Sequence, residues 1–90
     1  MNNERKQFTI KNELGLHARA AAAFVKVANR YRSEIFVSKE TLKVNGKSIM
    51  GILMLAAAKG MTIDIEVSGD DATEALEALG KLIENKFGEE

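Results

Sequence analysis

Residues 61–67 read Met-Thr-Ile-Asp-Ile-Glu-Val, and after the methionine they alternate between polar and apolar side chains. Successive side chains of a strand point to opposite faces, so this segment predicts a strand with one buried and one polar face. The inward side chains would be Ile63, Ile65 and Val67, and the outward ones Thr62, Asp64 and Glu66. A sheet with only one covered face is typical of antiparallel α+β domains.

Three other short segments have strand character. Residues 7–10 alternate, residues 33–38 contain an apolar run, and residues 41–44 follow as the second arm of a hairpin. The Asn-Gly pair at 45–46 then breaks the chain. Together with residues 61–67, these segments predict a four-stranded sheet.

Two helices are predicted from apolar side chains that recur every three or four positions. The first covers residues 18–31, and Arg30 and Arg32 at its C-terminal end suit the helix dipole. The second covers residues 49–58. Ser48 is its expected N-cap, because a serine hydroxyl can accept a bond from a free N–H of the first turn. The Lys-Gly pair that follows is typical of a helix stop.

A third helix is predicted after a turn. Asp71 and Glu74 have the spacing of a capping box, and the helix would run to about Lys86. Gly80 inside it costs about 1 kcal/mol relative to alanine, which suggests a close approach to the sheet. The buried side chains would be Ala75, Leu76, Leu79, Leu82 and Ile83. The order β-α-β-β-α-β-α predicts a two-layer α+β domain, with a four-stranded antiparallel sheet and three helices on one face.

The composition limits the classes of protein to which the chain can belong. Its 90 residues are enough for a single domain, residues 1–90, and its 13 basic and 13 acidic side chains leave no net charge for gathering nucleic acid. The absence of cysteine excludes disulfides and thiolate metal sites. The N-terminus lacks the apolar run of a signal peptide, and no apolar stretch is long enough for membrane insertion, so we expect a cytoplasmic protein.

The single histidine is the main candidate for chemistry. His17 lies in the segment Gly15-Leu16-His17-Ala18-Arg19, directly before the first helix. Backbone N–H groups at a helix N-terminus lack intrahelical acceptors, and with the helix dipole they form an anion site. Arg19 adds a guanidinium group that suits phosphate. The same field disfavours an imidazolium ion, so we expect His17 to be neutral and nucleophilic. Gly15 would let the loop turn tightly and leave room for a partner.

Other interpretations of His17 have to be weighed. A lone histidine at a helix start is more often a cap or a surface residue than a nucleophile. Metal binding is not expected, because the sequence has no second histidine or cysteine and no carboxylate at ligand spacing. No serine lies in a nucleophile elbow, so a Ser-His-Asp hydrolase is not expected either.

Two motifs resemble those of a known family. Residues 15–21, Gly-Leu-His-Ala-Arg-Ala-Ala, closely resemble the Gly-Leu-His-Ala-Arg-Pro-Ala signature of HPr, the phosphocarrier of the bacterial phosphotransferase system. Residues 45–51, Asn-Gly-Lys-Ser-Ile-Met-Gly, resemble the second signature of that family, around its regulatory serine. The resemblance extends over roughly residues 8–87, and the two motifs have the separation found in the family.

The resemblance implies a fold and a reaction. HPr-like proteins form an open-faced β-sandwich, accept a phosphoryl group from phospho-enzyme I, which phosphoenolpyruvate charges, and pass it to a IIA protein or domain. His17 matches the histidine that is phosphorylated on Nδ1, and Arg19 matches the arginine that helps hold the phosphoryl group, next to the backbone of Ala18. Such a protein is a carrier rather than a turnover enzyme and uses neither a cofactor nor a metal.

One position departs from the family signature. Ala20 stands where the family usually has proline. Proline in a first helical turn fixes φ and removes an N–H that would be free in any case, so alanine should preserve phosphotransfer. Alanine here is similar to some proteobacterial carriers, including those of the nitrogen-related branch, so the link to sugar transport stays open.

The resemblance also implies a docking surface and a regulatory site. Partners of the family dock on the short second helix and on the outer face of the first. If Ile52, Leu55 and Ala56 face the sheet, the docking residues would be Ile49, Met50 and Leu53 on the second helix, and Ala22, Ala23 and Lys26 on the first. Ser48 matches the serine that an HPr kinase/phosphorylase modifies. Phosphate there would add a charge of about −2 at the rim of this apolar surface.

The main alternative is an interaction module of the same fold that regulates without transferring phosphate. A nucleic-acid-binding α+β domain is a weaker alternative, because Asp64 and Glu66 would stand on the open face where bases should stack. We expect a monomer, since a carrier must expose the same histidine to two partners in turn.

Overall fold

A computed structural model describes residues 2–89 of the chain. Over this range the elements are β1 (Asn2–Thr9), α1 (Ala18–Ala28), β2 (Glu34–Lys39), β3 (Leu42–Asn45), α2 (Ile49–Met54), β4 (Thr62–Gly69) and α3 (Ala72–Glu84), followed by a 3-10 turn (Lys86–Gly88). The predicted order β-α-β-β-α-β-α is confirmed. None of the helices in this part of the chain is long and apolar enough to cross a bilayer.

The four strands form an antiparallel sheet in the order β1-β4-β2-β3. β4 pairs with β1 on one side and with β2 on the other, so the segment with the clearest alternation lies inside the sheet. Its inward residues Ile63, Ile65 and Val67 are buried, as predicted. The helices cover this face, and the opposite face of the sheet stays open, which confirms the predicted α+β fold class.

The described residues pack around a single core between the sheet and the helices. α1 buries Ala21, Phe24, Val25 and Ala28, and α3 buries Ala75, Leu76, Leu79 and Ile83. Leu82, which was predicted to be buried, is only partly so. The expected close approach at Gly80 is confirmed, because a Cβ atom there would lie 3.0 Å from the ring of Phe8 on β1.

The first strand is longer than the apolar pattern predicted. β1 begins at Asn2 rather than Gln7 and pairs residue by residue with β4 as far as Thr9. It is an edge strand, and backbone pairing holds it without needing apolar side chains at its start. Ile10 lies just beyond the strand but is buried, and its N–H donates to the carbonyl of Met61 at 2.9 Å.

α1 and α2 end earlier than predicted. α1 stops at Ala28, so Arg30 and Arg32 lie beyond the helix. α2 stops at Met54 because Ala56 has a left-handed backbone with φ of 49°, which interrupts the helix. Ala56 is exposed and does not pack on the sheet, so that part of the prediction was wrong.

The predicted capping box of α3 is also wrong. Within the described residues, the Asp71 side chain makes no cap bond to α3, and the helix ends at Glu84 rather than at Lys86. The Asp71 carboxylate instead accepts bonds from the backbone N–H groups of Arg32, at 2.9 Å, and of Ser33, at 3.0 Å. The Ser33 hydroxyl donates to the same carboxylate. These bonds tie the connection between α1 and β2 to the start of α3.

Candidate functional site

His17 is the N-cap residue of α1, as the sequence predicted. Its backbone is extended, and its carbonyl accepts the first intrahelical bond from the N–H of Ala21 at 2.8 Å. The N–H groups of Ala18, Arg19 and Ala20 precede that bond and have no acceptor in the helix. Because the His17 side chain does not cap α1, this helix end keeps its donors for an anion.

The His17 side chain is 28% exposed and lines an open depression. Leu14, Ala18 and Arg19 contribute to the depression from the loop and the first turn of α1, and residues 87–89 contribute from the C-terminal segment. Arg19 is exposed at the second position of the helix. The fold therefore brings the imidazole, the helix N-terminus and a guanidinium group into one place.

The loop that carries His17 is fixed by its own backbone. Gly15 has φ of 66°, and a Cβ atom there would lie 2.5 Å from the carbonyl oxygen of Ala57. The same oxygen accepts the N–H of Leu16 at 2.9 Å. Glycine is required here because the space beside it is filled by residues 57–58. The expectation that Gly15 leaves room for a partner was therefore wrong.

The sequence analysis missed two residues of the site, Glu89 and Asn12. The Oε2 atom of Glu89 lies 2.5 Å from the Nε2 atom of His17, and the Glu89 side chain is 14% exposed. The fully buried Asn12 donates to Glu89 Oε1 at 3.0 Å and to the carbonyl of Gly15 at 2.7 Å. The turn residues 12–15 indicated a loop without a role for Asn12. No local pattern connects Glu89 with His17, because they are 72 positions apart.

The charge state of Glu89 follows from these contacts. The hydrogen bond from Asn12, and after it the one from His17, lower the pKa of the Glu89 carboxyl below its ordinary value of 4.5. The positive charges of His17 and Arg19 act in the same direction. Glu89 is therefore ionised at neutral pH, and its carboxylate can accept a hydrogen bond from the N–H of His17 Nε2.

A second carboxylate lies at the same depression but is engaged elsewhere. Glu13 accepts a bond from the Lys59 ammonium group at 2.6 Å, and this contact lowers the pKa of the Glu13 carboxyl. Two acidic side chains thus lie near His17, of which Glu89 contacts the ring. Within residues 2–89, no three histidine, cysteine, aspartate or glutamate side chains come together in a way that could hold a metal ion.

Ser48 is the N-cap of α2, as predicted. Its hydroxyl oxygen accepts the N–H of Gly51 at 3.0 Å. The next residues expose a group of large apolar side chains, which we call the α2 patch: Ile49 is 44% exposed, Met50 68% and Met54 63%. Ser48 therefore stands at the edge of an apolar surface.

The predicted docking residues are only partly exposed. Leu53 was expected to point outward but is half-buried against the core, and Met54 is exposed instead. On α1, Ala22 and Lys26 are exposed and Ala23 is half-buried. Because α1 and α2 pack against each other, the outer face of α1 and the α2 patch lie on neighbouring elements.

Comparison with known proteins decides the family. A family model described as the PTS HPr component phosphorylation site matches residues 4–85. The chain belongs to the HPr family. HPr is the phosphocarrier protein of the bacterial phosphotransferase system, and both His17 and Ser48 fall within the matched residues.

Relatives of known name agree with this assignment over nearly the whole chain. The phosphocarrier protein HPr of Neisseria meningitidis is 51% identical over 85 residues, which are 94% of this chain and 96% of that protein. A crystal structure of HPr from Thermoanaerobacter tengcongensis superposes with a TM-score of 0.93 at 49% identity, covering 97% of this chain and 98% of that one.

A more distant member of the fold has a different description. Crh of Bacillus subtilis, described as a catabolite repression protein that forms a dimer with a swapping domain, has a TM-score of 0.75 and 40% identity. The match covers 90% of this chain and 93% of Crh. The HPr fold is thus also found in a protein that is named for regulation.

Proposed function

We propose that this HPr-family chain accepts a phosphoryl group on Nδ1 of His17 from phospho-enzyme I and passes it to a IIA protein or domain. The observation that supports this most is the position of His17 as the N-cap of α1, with a ring that contacts Glu89 through Nε2 instead of capping the helix. An arriving phosphoryl group would meet the backbone N–H of Ala18 and the guanidinium group of Arg19 at the same helix end.

The transfer needs no group beyond those of the two proteins. The lone pair of the neutral ring nitrogen attacks phosphorus, and the bond between phosphorus and its carrier atom on enzyme I breaks as the phosphorus–nitrogen bond forms. The helix N-terminus and Arg19 stabilise the charge on the phosphoryl oxygens. Attack by a nucleophile of the IIA partner then regenerates His17, so the chain acts as a carrier and not as a turnover enzyme.

The partners would dock on the α2 patch and on the outer face of α1. Met50 and Met54 supply flexible apolar contacts there, and the exposed Ala22 would let a partner approach α1 closely. We propose Ser48 as a regulatory phosphorylation site at the rim of this surface. The monomeric state and the cytoplasmic location stay predictions from the sequence.

The second candidate is a regulatory module that transfers no phosphate, and the likeness to Crh favours it. The site itself favours transfer. A module that only docks would not need a partly exposed imidazole beside Arg19 at a helix end that its side chain does not cap.

The deciding experiment is intact mass spectrometry after incubation with phosphoenolpyruvate and a catalytic amount of enzyme I. We expect the chain to gain one phosphoryl group that acid removes, and His17→Ala to gain none. Ser48→Ala is the matched control and should still gain the group. If neither the sugar-branch nor the nitrogen-branch enzyme I modifies the unaltered chain, the transfer function is wrong and the regulatory module takes its place.

A further inference from the structure

We propose that Glu89, held by Asn12, positions His17 for transfer by keeping the ring proton on Nε2, so that Nδ1 carries the free lone pair. This inference deepens the proposed function and rests on it. It assigns a role to two residues that lie outside the motif around His17.

The geometry fixes the carboxylate at both of its oxygen atoms. Glu89 Oε2 lies 2.5 Å from His17 Nε2, and Glu89 Oε1 accepts a bond from the Asn12 amide at 3.0 Å. The same amide nitrogen donates to the carbonyl of Gly15 at 2.7 Å, two residues before the histidine. Asn12 thus ties the carboxylate to the loop that carries the ring, and complete burial restricts its own movement.

The protonation states follow from the donor and acceptor inventory. An ionised carboxylate can only accept hydrogen bonds, so Nε2 of His17 has to be the donor in its contact with Glu89. A neutral imidazole has one N–H and one lone pair, which leaves the lone pair on Nδ1. The contact therefore selects the tautomer that can attack phosphorus through Nδ1.

The same contact stabilises charge as the reaction proceeds. When Nδ1 bonds to phosphorus while Nε2 keeps its proton, the ring gains positive charge. A carboxylate that accepts a hydrogen bond from the ring N–H of a histidine both orients the ring and stabilises the imidazolium ion. This is the role of the aspartate in Ser-His-Asp triads. Glu89 contacts the ring at Nε2, so the Nδ1 atom remains available to the phosphoryl donor.

The test compares Glu89→Ala with Glu13→Ala. Glu13 is a suitable control because its carboxylate lies at the same depression but is bonded to Lys59. Long-range ¹H–¹⁵N NMR, at a pH where the ring is neutral, reports which nitrogen carries the proton. We expect protonation on Nε2 alone in the unaltered chain and in Glu13→Ala, and a mixture of tautomers in Glu89→Ala.

Rates of phosphoryl acceptance from phospho-enzyme I form the second readout. Misplacement of a reacting group slows chemistry, by about a hundredfold for a shift of about 1 Å. The maximal rate of Glu89→Ala should therefore fall by about tenfold or more, with little change in KM. An unchanged tautomer or an unchanged rate in Glu89→Ala overturns the inference. If the unaltered chain accepts no phosphoryl group at all, it is the proposed function that fails, and the NMR result still reports whether Glu89 sets the tautomer.

Discussion

The N-termini of α1 and α2 differ in what the N-cap side chain does. At α2 the Ser48 hydroxyl accepts the N–H of Gly51 and completes the helix start. At α1 the His17 ring turns to Glu89, so the first backbone donors keep no acceptor within the helix. The N-terminus of α2 is therefore capped by its own serine, whereas the N-terminus of α1 remains suited to binding an anion.

Substitutions of Ser48 separate its role as a cap from its proposed role in regulation. Ser48→Ala should lower the free energy of unfolding by about 1 kcal/mol, because the cap bond is lost. Ser48→Asp should keep the stability, since aspartate is an equally good N-cap. Urea unfolding measures both. Ser48→Asp should nevertheless accept phosphate from enzyme I more slowly, because it places a charge beside the α2 patch.

The control for that charge is Asn3→Asp, which adds one negative charge on the edge strand β1. We expect its rate of phosphoryl acceptance to match that of the unaltered chain. If Ser48→Asp also accepts phosphate at the normal rate, the regulatory role of Ser48 is wrong, although its role as a cap remains.

The packing of α3 on the sheet depends on a glycine in the middle of the helix. Gly80 lies against Phe8 of β1, and a Cβ atom would come within 3.0 Å of the Phe8 ring. The Phe8 side chain is itself buried, so it has little freedom to move aside. The loss of helix propensity at Gly80 is thus offset by a closer contact between the two layers.

Gly80→Leu should lower the free energy of unfolding by about 2 kcal/mol, because a long side chain cannot fit between α3 and Phe8. In Gly80→Ala, the gain of about 1 kcal/mol in helix propensity opposes the crowding, so the net change should be small. Lys81→Leu, at the exposed neighbouring position, is the control and should change little. Urea unfolding that finds Gly80→Leu as stable as the unaltered chain would show that the contact is unimportant.

Asp71 joins two distant parts of the molecule. Its carboxylate, at the turn between β4 and α3, accepts three bonds from Arg32 and Ser33, in the connection between α1 and β2. The bond from the Ser33 hydroxyl, followed by the bond from the Arg32 N–H, lowers the pKa of the Asp71 carboxyl below its ordinary value of 3.8. The folded state therefore favours the ionised carboxylate.

This shift predicts how stability depends on pH. A group whose pKa is lowered in the folded state contributes stability above its unfolded pKa and loses it as the pH falls through the folded value. The stability difference between the unaltered chain and Asp71→Asn should be constant near neutral pH and shrink as the pH drops below 3.8. Urea unfolding over a pH series measures it, with Asp70→Asn as a control for the loss of one charge. A difference that does not depend on pH would contradict the role of the carboxylate.

Local patterns predicted much of this architecture because they reflect local physics. Alternation in residues 61–67 identified β4 and its buried face, and the spacing around Phe24 and Leu79 identified the two long helices. The motif around His17 predicted a histidine at a helix start. Helix ends were less predictable. α2 stops where Ala56 takes a left-handed backbone conformation, and alanine has no preference for that conformation by which the sequence could have predicted it.

The sequence by itself determined the element order, the buried face of β4, the cap at Ser48 and the position of His17 before a helix, because each depends on residues within a few positions of one another. Only the tertiary structure decided that Glu89 contacts His17 and that Asp71 binds Ser33 instead of capping α3. These pairs are separated by 72 and 38 positions. Packing of the sheet against the helices brings them together, and that packing is a property of the whole chain.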